Sequence, residues 1–207
     1  MKKLLLILSI IIFTVSVNAQ FEGSVNFEKS KGKVSVKYQY KVKGENVRVE
    51  EYGNEGSLDG IQLVNTTSQS VYALSPDRLM YMEAKNKRPQ RIANVTVQKT
   101  KTKKTVNGKP CVKWIVTNAD QDRKIIYWVT KGDYDFFIPF LKTLNRAEKT
   151  SVYFLQIEGN AGFFPMLAEE YNMAGLLISK LEANKVTAKS LSDSDFKVPA
   201  GYKKFQR

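Results

Sequence analysis

The sequence predicts a mainly β protein of the α+β class, in which one or two short helices cover an antiparallel sheet. The clearest pattern is in Lys33–Lys43, where apolar and polar side chains alternate without interruption. Successive side chains of a strand point to opposite faces, so this stretch predicts a strand with one buried and one solvated face. Two further observations support the class: turns rich in glycine and asparagine separate similar segments, and the apolar period becomes helical between Asp133 and Arg146.

The N-terminal segment has the pattern of a secretory signal peptide. A basic start precedes the apolar run Leu4–Val17, and Val17-Asn18-Ala19 fits the small-x-small rule for cleavage. The run is shorter than the roughly 20 residues that span a bilayer, which favours cleavage over a membrane anchor. We therefore expect residues 1–19 to be removed on export and residues 20–207 to form one domain.

The composition excludes several kinds of active site. The chain of 207 residues has no histidine and a single cysteine, Cys111, which is expected to be a small buried side chain. Histidine-based triads, zinc sites built on histidine or several cysteines, and disulfides within the chain therefore cannot form. No glycine-rich phosphate-binding motif occurs. Hydrolysis through paired carboxylates remains chemically possible, but acids are scarce, with 20 in the chain. We expect a protein that is not an enzyme and that uses no metal or cofactor.

The first half of the chain is predicted to be an antiparallel meander with short turns. On Lys33–Lys43, Tyr38 and Tyr40 share the predicted buried face with three valines. Ser75-Pro76-Asp77 is a turn in which proline presets φ. The other strands predicted here are Phe21–Lys29, Val47–Tyr52, Gly60–Asn65, Ser70–Leu74 and Arg78–Glu83.

A long strand is predicted over Asn94–Thr105, in the most basic part of the chain. Between Ala84 and Ala119 there are eight lysines, two arginines and no acid, and the whole chain has a net charge of +13. Lysines along a strand commonly protect a sheet edge, but they also suit a platform for anionic headgroups or another polyanion. The export signal argues against nucleic acid as a partner. The candidate basic surface comprises Lys99, Lys101, Lys103 and Lys104.

Asn107-Gly108 predicts a hairpin turn, since a type I′ turn needs positive φ at both central residues. The strand Cys111–Thr117, which contains Trp114, is expected to follow this turn. The next strand, Lys124–Thr130, contains Trp128 and is apolar on both faces. Such a strand is expected to lie inside the sheet or to be covered on both sides.

A helix is predicted within Asp133–Arg146 from an apolar stripe at positions i, i+3, i+4 and i+7. The stripe consists of Phe137, Phe140, Leu141 and Leu144. Asp135 is the expected N-cap, and Pro139 is expected in the first turn, where a missing N–H costs little. A second helical piece is predicted over Ser151–Ile157.

The segment Phe163–Ala188 allows two interpretations. Helix propensity favours a helix, whereas Phe164-Pro165 and the stretch Asn172–Gly175 favour two strands joined by a turn. In the C-terminal tail, Ser192 and Asp195 have the spacing of a capping box.

Four pieces of the chain occur together in a family of exported bacterial proteins. They are Gly108-x-x-Cys111, Tyr127–Lys131, Phe164-Pro165 and the tail Leu191–Tyr202, which is the most specific of them. The chain thus resembles the family known as domain of unknown function 4412, which is similar in fold to the lipoprotein carrier LolA and its receptor LolB. The resemblance implies a strongly curved antiparallel sheet, or incomplete β-barrel, whose concave face is covered by helices and receives acyl chains. It also favours strands over Phe163–Ala188, implies a location in the periplasm or at the outer-membrane periphery of a Gram-negative bacterium, and implies no catalytic residues.

The sequence and the resemblance lead to one functional hypothesis. The protein is expected to be a non-enzymatic monomer that binds a lipid or a lipoprotein acyl chain on the concave face and meets an anionic membrane surface through its lysines. The candidate ligand-binding residues are Tyr38, Tyr40, Trp114, Trp128, Phe137, Phe140 and Leu144. The same aromatic residues can instead be ordinary core. The second hypothesis is a cell-envelope interaction module that docks a protein or polyanion through its basic face or a strand edge.

Overall fold

The computed structural model describes residues 20–53, 55–84 and 88–206. The predicted signal peptide, residues 1–19, lies outside these residues. Twelve strands, two α-helices and one 3-10 helix form in the part that is described. In chain order they are β1 (Gly23–Lys31), β2 (Val34–Lys43), β3 (Asn46–Tyr52), β4 (Leu58–Asn65), β5 (Ser70–Ser75), β6 (Met80–Glu83), β7 (Thr96–Val106), β8 (Lys109–Asn118), β9 (Arg123–Lys131), α1 (Phe137–Leu144), α2 (Lys149–Leu155), β10 (Phe163–Tyr171), β11 (Leu177–Ala188), the 3-10 helix (Asp193–Phe196) and β12 (Lys203–Lys204).

All of these strands belong to one open sheet, in the order β12-β6-β5-β4-β3-β2-β1-β11-β10-β9-β8-β7. Most neighbours are antiparallel, while β12 runs parallel to β6. The mainly β prediction is confirmed, and the ambiguous segment Phe163–Ala188 forms two strands, β10 and β11. The predicted hairpin turn joins β7 to β8, with φ of +46° at Asn107 and +76° at Gly108.

The sheet curves around the two helices. Tyr40 of β2 lies 5.3 Å from Phe140 of α1, and Trp114 of β8 lies 6.3 Å from Phe154 of α2, measured between ring centroids. In a flat sheet, β5 and β10 would be about 29 Å apart, since neighbouring strands are about 4.8 Å apart and β10 is the sixth strand from β5. The single helix α1, with eight residues about 12 Å long, nevertheless contacts both β5 and β10, where Phe137 lies 4.8 Å from Phe164. The sheet therefore bends around the helices, and its concave face is the face that they cover.

The helix α1 starts from a buried turn rather than from a polar cap. Its N-cap is Phe136, which makes no side-chain capping bond, so the prediction of Asp135 as the N-cap is wrong. Tyr134 and Phe136 are 6% and 1% exposed, and the N–H of Phe137 donates to the carbonyl of Tyr134 at 2.9 Å. Burial of these two rings fixes how the chain enters the helix. Pro139 is the third residue of α1, as the first-turn prediction requires.

A second, smaller apolar cluster lies on the convex face. Ile61, Leu63 and Leu74 form its buried centre, and Val198 and Tyr202 of the C-terminal tail pack on them. The tail thus covers the part of β4 and β5 that points away from the helices.

Hydrogen bonds and charges also hold the tail to the sheet. Ser192 starts the 3-10 helix with the predicted capping box, which it completes with Asp195. Lys43 of β2 lies 2.6 Å from a carboxylate oxygen of Asp193, and Arg48 of β3 donates to the carbonyl of Asp195 at 3.0 Å. These contacts tie the chain end to β2 and β3.

The described part of the chain holds neither a membrane-crossing helix nor a cluster of metal ligands. Among residues 20–53, 55–84 and 88–206, every helix is too short or too polar to cross a membrane. The same residues bring together no group of three or more metal-ligating side chains.

Candidate functional site

The space between the helices and the sheet is filled mainly by aromatic rings. Phe137 lies 4.8 Å from Phe164 and 5.5 Å from Phe154, and Phe27 of β1 lies 4.6 Å from Tyr40 and 5.7 Å from Phe164. Tilted and edge-on contacts of this kind stabilise a core beyond the area they bury. The aromatic residues predicted for the site are therefore largely core in this structure.

Two small adjoining cavities lie between the helix pair and strands β1, β2, β9, β10 and β11, and they share several lining side chains. We call them together the helix–sheet cleft. Its polar end has a volume of about 50 Å³, and its apolar end has a volume of about 30 Å³. The side chains that line both ends are Tyr40, Leu141, Thr150, Ser151 and Leu181. The polar end is completed by Lys29, Tyr38, Phe140, Leu144, Arg146 and Glu148, and the apolar end by Phe27, Tyr127, Phe137, Pro165 and Ala168.

The polar end of the cleft holds two cations and one acid. One carboxylate oxygen of Glu148, Oε1, lies 3.8 Å from Nζ of Lys29 and 3.8 Å from Nη1 of Arg146. The guanidinium of Arg146 also donates to Oε1 of Gln62 on β4 at 2.6 Å. The other Glu148 oxygen, Oε2, is buried and has no hydrogen-bond partner. The polar end therefore has an excess of positive charge.

Two tyrosines connect the charged end to the apolar interior. Burial raises the pKa of Tyr40 to about 12, with Arg146 lowering it and Glu148 raising it. Burial also raises the pKa of Tyr38, which feels the charges of Glu51, Arg146 and Glu148. Both hydroxyls therefore stay neutral at physiological pH and remain able to donate hydrogen bonds.

We expect the stability of the fold to decrease between pH 10 and 12, because the pKa of Tyr40 and that of Tyr52 are raised from 10.0 to about 12. A raised pKa means that the folded protein keeps a proton that the unfolded chain has released. The resulting stabilisation is complete below pH 10 and is lost as the pH rises through about 12. Thermal unfolding across this range is the measurement. Tyr40→Phe should flatten the decrease, and a variant that lost stability as steeply as wild type would contradict the role of Tyr40.

Five of the seven predicted ligand-binding residues line the helix–sheet cleft. Those residues are Tyr38, Tyr40, Phe137, Phe140 and Leu144. Trp114 belongs to the same buried cluster, where its ring lies 4.7 Å from that of Phe163. The sequence did not indicate the charged trio Lys29, Arg146 and Glu148. The ligand-binding role of the apolar residues stays a prediction.

Trp128 does not lie on the concave face, so its predicted place beside Tyr38 and Tyr40 is wrong. Across β8 and β9, Trp114 pairs with Tyr127, whereas Trp128 pairs with Lys113. Tyr127 faces the helices, since its hydroxyl donates to the carbonyl of Thr150 in α2 at 2.8 Å. The next residue must point to the opposite face. Trp128 is therefore on the convex side.

The four lysines of the candidate basic surface do not form a single row. β7 is an edge strand, but its register with β8 shifts between Lys99 and Lys103. Lys99 lies over the ring of Trp114 at 4.6 Å, and Lys104 lies over the ring of Trp128 at 4.3 Å. The two lysines thus turn to opposite faces. Lys101 and Lys103 are exposed.

The fold and the cleft define a class of protein, namely an open half-barrel that encloses a helix pair. The particular family follows from the sequence. Residues 21–202 match the family described as Domain of unknown function (DUF4412), so the chain belongs to that family. Comparison with curated protein sequences gave no match.

Several solved structures have a similar fold at low sequence identity. An uncharacterized conserved protein from Thermus thermophilus has a TM-score of 0.55 and 9% identity, over 90% of this chain and 91% of that chain. MucB in the MucA/MucB complex of Pseudomonas aeruginosa has a TM-score of 0.52 and 12% identity, over 88% of this chain and 56% of that chain. A second MucB structure gives a TM-score of 0.50 and 11% identity, over 88% and 59% of the two chains. These likenesses show a shared fold.

Proposed function

We propose that this protein is a non-enzymatic component of the bacterial cell envelope that binds the apolar chain of a lipid in the helix–sheet cleft. The observation that carries the proposal is the make-up of the cleft, in which a cavity beside Lys29, Arg146 and Glu148 adjoins a second cavity among aromatic side chains. An amphiphile needs such an arrangement, because its chain seeks apolar surroundings while its headgroup stays near water and charge. Export through residues 1–19 would bring the protein to the periplasm or the outer-membrane periphery, where acyl chains are available.

Binding requires the cleft to widen. Pockets for ligands of drug size are about 300–1,000 Å³, roughly an order of magnitude larger than either end of this cleft. The helices that cover it are short, with eight residues in α1 and seven in α2. Specific polar contacts fasten α2, including the Tyr127 hydroxyl bond to Thr150 and the Tyr153 hydroxyl bond to Gln121, both at 2.8 Å. In the proposed function, the helix pair moves away from the sheet to admit the chain.

The exposed lysines of β7 suit an approach to anionic surfaces. Lys101 and Lys103 are exposed and can meet phosphate headgroups. Each basic side chain near an anionic membrane contributes about 1 kcal/mol to the free energy of binding. In this part of the proposal, the lysine edge orients the protein on an anionic membrane while the cleft takes the chain.

An interaction module is the second candidate function. It is favoured by the fold shared with MucB, whose structure was solved in a complex with MucA. The edge strand β7 would then offer backbone groups and lysines to a partner protein. High salt should abolish such charge-driven docking, whereas it should only weaken the burial of an acyl chain.

The test of the lipid proposal is to fill the cleft. Ser151 lines both ends of the cleft. Because the larger ring would occupy the space that the ligand needs, Ser151→Trp should weaken the binding of an apolar dye such as Nile red by at least about tenfold. Ala119→Trp adds the same ring at an exposed turn and should bind the dye like wild type. Dye titration by fluorescence, with thermal unfolding as the check on folding, makes the measurement. Equal binding by both folded variants would contradict the proposal, as would a wild-type protein that takes up neither Nile red nor dodecyl chains.

A further inference from the structure

The charged end of the helix–sheet cleft is built around one carboxylate. Glu148 sits between Lys29 and Arg146 at 3.8 Å from each, although these residues belong to β1 and to the link between the helices. Both distances exceed those of well-made charged hydrogen bonds, which are about 2.7–2.9 Å. The carboxylate is therefore attracted by both cations but makes a close hydrogen bond to neither.

The Glu148 carboxylate is also incompletely satisfied. Its oxygen Oε2 is buried and has no hydrogen-bond partner. A buried acceptor without a partner costs free energy, which makes it easier for another anion to displace the carboxylate. The side chains of Lys29, Arg146 and Glu148 are 34%, 29% and 36% exposed, so a ligand can reach them from solvent.

Both cationic residues have an anchor apart from Glu148, which is a side-chain hydrogen bond for Arg146 and the strand backbone for Lys29. Arg146 keeps its bond to Gln62 on β4 at 2.6 Å, and Lys29 lies in β1, which pairs with β2 and β11 on its two sides. If Glu148 moves away, both positive charges stay at the cleft. The hydroxyls of Tyr38 and Tyr40 remain beside them, since both residues line the same end.

We infer that the ligand of the helix–sheet cleft is a single-chain amphiphile with an anionic headgroup, and that Glu148 occupies the headgroup position while the cleft is empty. The inference rests on the proposed function and adds the chemical class of the ligand. The incoming anion displaces the carboxylate and binds between Lys29 and Arg146, while its chain follows the cleft past Tyr40 and Leu141. Glu148 thus competes with the ligand that the two cations attract.

The experiment measures displacement of Nile red from the full mature protein by three compounds. Laurate has a chain and a carboxylate, 1-dodecanol has the chain without the charge, and acetate has the carboxylate without the chain. Laurate should bind more tightly than dodecanol at a pH where it is ionised, and acetate should displace no dye. Displacement by acetate would overturn the inference, because a carboxylate without a chain would then compete for the space assigned to the chain.

Three substitutions probe the headgroup site. Glu148→Gln should tighten laurate binding by about threefold and leave dodecanol unchanged, since the competing charge is removed. Glu158→Gln makes the same charge change at an exposed residue and should have no effect. Arg146→Gln and Lys29→Gln should each weaken laurate binding by about threefold to fivefold, again without an effect on dodecanol.

The outcomes separate the lipid function from the headgroup assignment. If neither dodecyl compound displaces the dye, the lipid function itself fails. If both compounds bind equally and Glu148→Gln changes nothing, the cleft binds apolar chains but the headgroup assignment is wrong. Use of both Arg146→Gln and Lys29→Gln guards against a single variant that fails to fold, which thermal unfolding would reveal.

Discussion

Replacement of Phe164 by alanine is expected to lower the free energy of unfolding by about 3–5 kcal/mol, the usual cost of removing a buried phenylalanine ring. Phe164 has no exposed surface. Its ring lies 5.7 Å from Phe27, 4.8 Å from Tyr134 and 4.8 Å from Phe137. It thus joins the sheet, the loop before α1, and α1 itself. Removal of the ring loses the contacts with all three and leaves a cavity, which the rigid neighbouring rings cannot fill.

Urea unfolding followed by tryptophan fluorescence measures this effect. Phe205→Ala is the matched control, because its ring is 48% exposed and its loss should change stability by no more than about 0.5 kcal/mol. A Phe164→Ala protein that remained within about 1 kcal/mol of wild type would mean that the aromatic cluster does not hold the helices to the sheet. That result would also fit helices that leave the sheet easily.

Most strands could be predicted because their signal is local. Lys33–Lys43 alternates residue by residue, and β2 spans Val34–Lys43. Asn107-Gly108 alone is enough to predict the turn, since both residues accept positive φ. Such patterns need no knowledge of the neighbouring strands. The segment Phe163–Ala188 lacked a clear local pattern, and the family resemblance was needed to favour strands there.

The face assigned to Trp128 could not be derived in the same way. Alternation fixes which residues of one strand share a face, but it does not tell which face of one strand joins which face of the next. That relation depends on register, here the pairing of Trp128 with Lys113. β9 is apolar on both faces, so its own pattern gave no sign of which side meets the helices.

The charged end of the cleft was also beyond local patterns. Lys29 and Glu148 are more than a hundred positions apart in the chain and meet only because the helix pair packs over the sheet. In sequence, Lys29 is one of many lysines, and Arg146 and Glu148 follow the predicted helix as ordinary polar residues. The sequence thus predicts the apolar lining of the cleft, which belongs to periodic elements, and misses its charges, which come from the end of β1 and from the link between the helices.

The second large effect is expected on the convex face, where Glu50→Gln should destabilise the fold by about 3 kcal/mol, as is typical when one partner of a buried ion pair is removed. Glu50 is 3% exposed. Its carboxylate accepts from Arg48 at 2.6 Å, from Lys41 at 3.1 Å and from Tyr52 at 2.8 Å. Without the carboxylate, the largely buried Arg48 loses its acidic partner, and Lys41 keeps only the carboxylate of Asp195 at 3.9 Å. Arg48 also holds the tail through the carbonyl of Asp195, so the tail should loosen as well.

The pH dependence of stability gives this prediction a second measurement. Burial alone would raise the pKa of Glu50, but the hydrogen bonds from Tyr52 and Arg48 outweigh it and hold the pKa below the ordinary 4.5. A lowered folded pKa contributes stability that is present above pH 4.5 and is lost as the pH falls through the folded value. Wild type should therefore lose more stability below pH 4.5 than Glu50→Gln does. Glu51→Gln, at the next residue and on the opposite face, should keep the wild-type acid dependence; if it behaved like Glu50→Gln, the effect would reflect net charge rather than the buried cluster.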